Sequence, residues 1–174
     1  MIMRIPVMLI ITLLSTCSIN AFAAADFSFT GGLVQEPCIL DPNSSDIVID
    51  FGSVINKFLY RYQRTAGISI TLNLQGCDTS TSDKLSITFK ATEDARQAGM
   101  MALDPSSTAK GIAIGVEEKG IFIPINKSVE RIFHSGDNKM VFDLFLSANR
   151  ESIKNNELHP GTINASATIE LEYH

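Results

Sequence analysis

Alternation of apolar and polar residues is the feature that most constrains the fold of this chain. The pattern is clearest at the C-terminus, where every second residue from position 163 is apolar or small. These residues are Ile163, Ala165, Ala167, Ile169, Leu171 and Tyr173. A period of two places alternate side chains on opposite faces of an extended strand. The end of the chain is therefore predicted to be a half-buried β-strand.

The same alternation recurs along most of the chain, and turn residues such as Pro160-Gly161 separate the runs. Seven or more short strands joined by turns predict an antiparallel β-sandwich, an all-β fold. One helical turn is also expected between Glu93 and Met101. Besides the C-terminal run, the alternating runs lie at 27–33, 47–51, 68–74, 85–89, 112–116 and 142–146.

The first residues have the pattern of a secretory signal peptide. Arg4 precedes an apolar run at 5–14, and the small residues Ala21 and Ala23 follow. Polar residues between 15 and 20 end the run before the roughly 20 apolar residues that a transmembrane helix needs. Residues 1–23 are therefore predicted to be cleaved, with the boundary between 23 and 25. The remaining 151 residues fit one domain.

Charge and cysteine content narrow the function classes. Without Arg4 the formal net charge is −6, which disfavours a nucleic acid partner. Cys38 and Cys77 are the cysteines left after cleavage, and in an exported chain they favour a disulfide over a metal site or a nucleophile. Closing this loop would stabilise the fold by about 4 kcal/mol in the chain-entropy model.

Motifs of catalysis are missing from the sequence. It has no nucleophile elbow, no phosphate-binding glycine loop and no paired-carboxylate motif. His134, His159 and His174 lie in turn-like or terminal contexts, and none has a second ligand at the spacing of a metal site. We therefore expect no enzyme activity, no metal and no small-molecule cofactor.

The segment DFSFTGGLVQEPC, residues 26–38, is unusual because its alternating apolar face includes a glycine. Phe27, Phe29, Gly31 and Leu33 share one face of an extended chain. A first strand paired within its own sandwich explains the alternation. It does not explain Gly31, because a strand glycine weakens packing unless another chain must come close.

Several stretches together resemble the pilin subunits of chaperone-usher fimbriae. They are FTGGLVQEPC, with Gly31 seven residues before Cys38, DIVIDFGSV, ISITLNLQGCD, LSITFKA, AKGIAIGVEEKGIFIPI and HPGTINASATIELEYH. The ending is the most specific part, since pilins carry a penultimate Tyr, here Tyr173, and a Gly fourteenth from the C-terminus, here Gly161. The resemblance covers essentially the whole mature chain.

The resemblance implies an incomplete immunoglobulin-like sandwich that lacks its seventh strand and is completed by a donated one. Residues 24–37 would be the donor segment, with Phe27, Phe29, Gly31 and Leu33 entering the next subunit, and 38–174 would be the pilin domain. The acceptor groove and chaperone edge would be formed by Gly161, Ile163, Ala165, Ala167, Ile169, Leu171 and Tyr173. Strand addition of this kind draws affinity from the backbone ladder and specificity from the side-chain pockets.

The implied partners are a periplasmic pilus chaperone, an outer-membrane usher and neighbouring pilin subunits. The implied location is a fimbrium on the bacterial cell surface, reached through the periplasm. The short donor segment favours a minor adaptor subunit that contributes to cell adhesion. A major subunit, a fimbrial terminator and a tip-associated receptor-binding subunit stay open as alternatives. An enzyme or a chaperone is less favoured.

Overall fold

The computed structural model describes Thr30 and residues 36–174, and every structural statement below refers to these residues. The predicted signal peptide at 1–23 lies outside them. So do the predicted donor residues Phe27, Phe29, Gly31 and Leu33. The predicted pilin domain at 38–174 is described in full.

Eight strands, two short α-helices and a 3-10 turn make up the described chain. Neither α-helix has the length and hydrophobicity that crossing a membrane requires. In chain order the elements are β1 (Ile39–Leu40), the 3-10 turn (Pro42–Ser44), α1 (Asn56–Tyr62), β2 (Ile68–Cys77), β3 (Lys84–Lys90), β4 (Ile112–Glu118), β5 (Ile121–Ile123), β6 (Val129–Ile132), β7 (Gly136–Ala148), α2 (Arg150–Lys154) and β8 (Thr168–Tyr173).

The strands form two antiparallel sheets that enclose one apolar core. The larger sheet has the order β1-β2-β7-β4-β5, and the smaller sheet has the order β6-β3-β8. Phe89 of β3 and Phe142 of β7 meet edge to face across the two sheets, with ring centroids 5.1 Å apart. This arrangement confirms the predicted all-β sandwich.

A disulfide closes one end of the sandwich. Cys38 precedes β1 and Cys77 ends β2, and their sulfur atoms are bonded. Both residues are buried in the main core. The predicted pairing is confirmed.

The predicted helical turn between Glu93 and Met101 is wrong. These two residues instead form an isolated antiparallel bridge, and bends and a turn connect them. The Asp94 carboxylate accepts hydrogen bonds from the backbone N–H of Arg96 and Gln97, a local turn that competes with a helix. Gly99, at φ +78°, ends any helical path.

The predicted strand at 47–51 is also wrong. The segment has no backbone ladder with any described strand, although its side chains still alternate. Ile47, Ile49 and Phe51 pack against the core, while Val48 is 88% exposed. Alternation sets the two faces of an extended chain, but strand assignment also needs a hydrogen-bonded neighbour.

Both α-helices went unpredicted because they are short. Gln63, at φ 66°, ends α1 and donates its backbone N–H to the Leu59 carbonyl at 2.8 Å. The Asn149 side chain caps α2 by accepting from the N–H groups of Glu151 and Ser152. Asn149 is the kind of residue that favours a helix start, so α2 had a usable signal in the sequence.

Candidate functional site

An apolar groove of about 590 Å³ opens into the core between the sheets. Its lining includes residues of the extended segment 46–51 and of the chain end from 163 to 171. Buried side chains that line its deeper part are Leu72, Phe89, Met101 and Ile114. The groove therefore gives direct access to the main hydrophobic core.

Five of the seven predicted acceptor residues line this groove. They are Ile163, Ala165, Ala167, Ile169 and Leu171. All of them except Ala167, which is exposed, are half-buried. The two alanines are short side chains in a row that otherwise carries isoleucine and leucine, so they leave space in the groove.

The other two predicted residues, Gly161 and Tyr173, lie at the ends of the row. Gly161 lines an adjoining cavity of about 520 Å³, and Tyr173 packs edge to face on Phe133, with centroids 5.7 Å apart. Burial, and then the Glu36 carboxylate, raise the pKa of the Tyr173 phenol above its usual value. Tyr173 therefore remains neutral at physiological pH and closes the core at the chain end.

Strand β8 lies at the edge of its sheet. It pairs with β3 in the register Ile87↔Leu171 and Phe89↔Ile169, and no other described strand lies beside it. Its last residue is also held on β3, because the His174 ring nitrogen Nε2 lies 2.7 Å from the Ser86 hydroxyl. An edge strand presents backbone donors and acceptors along its open side.

The residues before β8, which we call the C-terminal segment (161–167), are extended but form no strand ladder. On one side they contact an outer loop, residues 104–109. The backbone groups of Thr162 and Asn164 form hydrogen bonds with this loop. In one of them the Asp104 N–H donates to the Asn164 carbonyl at 2.8 Å. Within residues 36–174, the alternate positions Ile163 and Ala165 make no backbone hydrogen bond.

The close approach of the outer loop explains the glycine at position 161. A Cβ atom built there would overlap the backbone nitrogen of Ala109 and the side chain of Thr108. Any larger residue would push the loop and the C-terminal segment apart. The role of the outer loop had no recognisable signal in the sequence, since it depends on contacts between residues some 55 positions apart.

Segment 46–51 contributes the other part of the groove lining. Ile47, Ile49 and Phe51 line the groove, and Gly52 follows at φ +61°. The Gly52 N–H donates to the Asp50 carboxylate at 2.8 Å, which turns the chain away. Both extended segments thus expose an apolar row without a strand partner among the described residues.

The described chain offers no cluster of metal-binding side chains. No set of three or more His, Cys, Asp or Glu side chains in the described residues lies close enough to hold a metal ion. The arrangement has the chemistry of a groove that binds an extended peptide. The peptide backbone would pair with the open strand edge, and a row of its apolar side chains would pack against the lining.

Comparison with known families identifies the chain. The model of the family described as "Fimbrial protein" matches residues 27–174. The chain belongs to the fimbrial protein family. It is a structural subunit of a chaperone-usher pilus and not an enzyme.

Individual relatives agree with this identification. The fimbrial-like protein YfcP of Escherichia coli K12 is 28% identical over 92% of this chain and 90% of its own length. The fimbrial adapter PapK of Escherichia coli is 25% identical, over 92% and 94% of the two chains. A solved chaperone-usher pilus has a subunit with a TM-score of 0.70 at 18% identity, over 88% of this chain and 97% of that one.

Membership places the protein outside the cell. Subunits of this family are exported through the periplasm and assembled with other pilins into fimbriae on the cell surface. The immunoglobulin-like sandwich of these pilins is also the fold of this chain.

Proposed function

We propose that this protein is a minor adaptor subunit that joins two other fimbrial subunits, accepting a strand from one and donating a strand to the other. The observation that carries the proposal is the groove between two extended segments that have no ladder partner among the described residues. A donated strand would fill the position of the strand that the immunoglobulin-like sandwich is proposed to lack.

The dimensions of the groove suit an extended peptide. Its lining from Ile163 to Leu171 covers nine residues, which span about 30 Å in an extended chain. The backbone of such a peptide would pair with the open side of β8 and of the C-terminal segment. Its alternate side chains would enter the core, with most room beside Ala165 and Ala167.

The donor segment would be residues 24–37. In it Phe27, Phe29, Gly31 and Leu33 would present one apolar face to the groove of the next subunit. The segment leads directly into Cys38, which is buried and bonded to Cys77. A donated strand would therefore pull on a covalently anchored point of the domain, which suits a link that carries load.

A periplasmic chaperone and an outer-membrane usher complete the proposed assembly. An apolar groove with an open strand edge invites aggregation in a free subunit. A chaperone that covers the groove until the next subunit arrives would prevent this. The usher would then be the site at which the incoming donor segment replaces the chaperone.

The adaptor role rests on two further points. The segment before Cys38 is short, and the relative PapK is itself named a fimbrial adapter. An adaptor at the joint between fibre parts would contribute to cell adhesion without binding the host receptor itself.

The test is the urea midpoint of residues 24–174, measured with and without 14-residue peptides. The peptides would copy the N-terminal segments of fimbrial subunits from the same cell and include residues 24–37. At a concentration 100 times the dissociation constant, a peptide that fills the groove should add about 2.7 kcal/mol to the free energy of unfolding.

Matched variants show whether the peptide uses the groove. Ala165→Trp fills the groove and should abolish the gain, whereas Glu172→Trp, on the outer face of β8, should keep it. A midpoint that no peptide moves would contradict strand acceptance and favour a terminator, whose groove is closed.

A further inference from the structure

The outer loop pairs with the C-terminal segment through side-chain hydroxyl groups. Ser107 Oγ accepts the Asn164 N–H at 2.9 Å and donates to the Asn164 carbonyl at 2.8 Å. One hydroxyl thus makes both hydrogen bonds that a residue of a neighbouring strand would make. No described strand lies beside this edge of the C-terminal segment.

Thr108 repeats the arrangement two residues earlier along the segment. Its Oγ1 accepts the Thr162 N–H at 2.8 Å, while the backbone N–H groups of Thr108 and Ala109 both donate to the Thr162 carbonyl at 3.1 Å. The backbone groups of Thr162 and Asn164 are therefore all satisfied by the outer loop.

A tight turn holds the two hydroxyl residues in place. The Ser107 N–H donates to the Asp104 carbonyl at 2.9 Å, with Pro105 at the second position of the turn, where proline is favoured. Asp104 also reaches the segment, because its carboxylate accepts from the Ser166 hydroxyl at 3.0 Å. The loop has a defined conformation and does not form a strand.

These contacts concern one edge of the segment only. In an extended chain, backbone groups of successive residues point to opposite edges. Thr162 and Asn164 point to the outer loop. Ile163 and Ala165 consequently direct theirs to the other edge, and their side chains line the groove.

We propose that Ser107 and Thr108 close the outer edge of the C-terminal segment, so that an incoming strand can add only along the groove. This inference rests on the proposed strand acceptance for its biological purpose. Without the hydroxyls, the N–H groups of Thr162 and Asn164 would lose their acceptors on the outer edge, and a strand could pair with them on the side that leads to no pocket. Ser107 and Thr108 are thus positioning residues for strand addition.

Amide hydrogen exchange of residues 24–174, read by NMR, tests the contacts. Ser107→Ala combined with Thr108→Val removes both hydroxyls with little change of shape. Exchange at the Thr162 and Asn164 amides should accelerate about tenfold, the effect of losing one net hydrogen bond at each site. Ser106→Ala is the matched control, because Ser106 is exposed and makes no side-chain hydrogen bond in the described chain. It should leave both rates within twofold.

Self-association reports whether another chain adds to the outer edge, and it therefore separates this role from simple stabilisation of the fold. In sedimentation experiments at rising concentration, the double variant should self-associate at concentrations at least tenfold below those of the parent chain. The conservative pair Ser107→Thr and Thr108→Ser keeps both hydroxyls and should behave like the parent. If the double variant does not fold, Ser107→Ala alone is measured at the Asn164 amide.

Two results would overturn the inference. One is unchanged exchange at Thr162 and Asn164, and the other is faster exchange without any gain in self-association. Neither result depends on a donor peptide. Failure of the proposed strand acceptance would appear separately, as a parent chain whose urea midpoint no peptide changes.

Discussion

Strand β7 and the C-terminal segment carry the same alternation but end in different structures. In β7 the apolar residues Phe142, Leu144 and Leu146 are buried, and β2 and β4 pair with its two edges. In the C-terminal segment Ile163 and Ala165 are half-buried, one edge contacts a loop and the other faces the groove. The period of two thus determines the faces of a chain, while its edges depend on the neighbours that the fold supplies.

The difference divides the sandwich into a closed side and an open side. The closed side is formed by the described strands that have a strand partner on both edges, β2, β7, β4 and β3, and a disulfide lies at the end of β2. The open side is formed by segment 46–51 and the C-terminal segment. A free subunit should therefore draw most of its stability from the closed side.

Matched isoleucines test this division most strongly. Ile87 is fully buried in β3, whereas Ile49 is half-buried beside the groove. Ile87→Ala should lower the free energy of unfolding by about 4 kcal/mol, and Ile49→Ala by about 1 kcal/mol, because the cost of truncation grows with the burial of the side chain. Urea denaturation of residues 24–174 measures both. Equal losses would mean that the open side is packed as well as the closed one.

The glycine next to the outer loop should give an intermediate effect. Gly161→Ala should lower the free energy of unfolding by about 2 kcal/mol, since its Cβ would overlap Ala109 and Thr108. Gly52→Ala is the comparison, because a Cβ there meets nothing within 4 Å and only the positive φ of +61° costs about 1 kcal/mol. A loss at Gly161 no larger than that at Gly52 would show that the loop moves away freely.

The smallest effect concerns pH and the end of β8. The folded-state pKa of Tyr173 lies above its unfolded value, so its contribution to stability is complete below about pH 10. As the pH rises from there through the folded-state pKa, the unfolded chain loses the proton first and stability falls. Tyr173→Phe should remove this part of the loss, by a fraction of a kcal/mol. Thermal melts of both chains between pH 8 and 11 measure it, and identical curves would contradict it.

Much of the fold followed from residue patterns. The alternating runs at 68–74, 85–89, 112–116 and 142–146 all became strands, and Cys38 and Cys77 formed the predicted disulfide. The run at 47–51 did not, although its side chains alternate equally well. No pattern within the run could reveal that its backbone lacks a partner among the described strands.

The candidate site shows the same limit. The alternation from Ile163 to Leu171 predicted one shared face, and these side chains line one groove, but only residues 168–173 of the predicted strand form a strand. Ser107 and Thr108 had no such signal, because hydroxyl residues in a Pro-containing loop are common on any protein surface. Their contacts with Thr162 and Asn164 exist only because the fold brings the loop to that edge.

The sequence by itself determined which residues face the core, where most turns fall and which cysteines pair, because these depend on local geometry and composition. The tertiary structure alone decided which strands are neighbours, that two apolar rows flank a groove, and that a loop closes one edge of the C-terminal segment. The physical reason is that a β-strand needs a neighbouring segment to which its backbone can hydrogen-bond. A side chain's direction is set within a few residues, but a backbone hydrogen bond is set by whatever segment the completed fold places beside it.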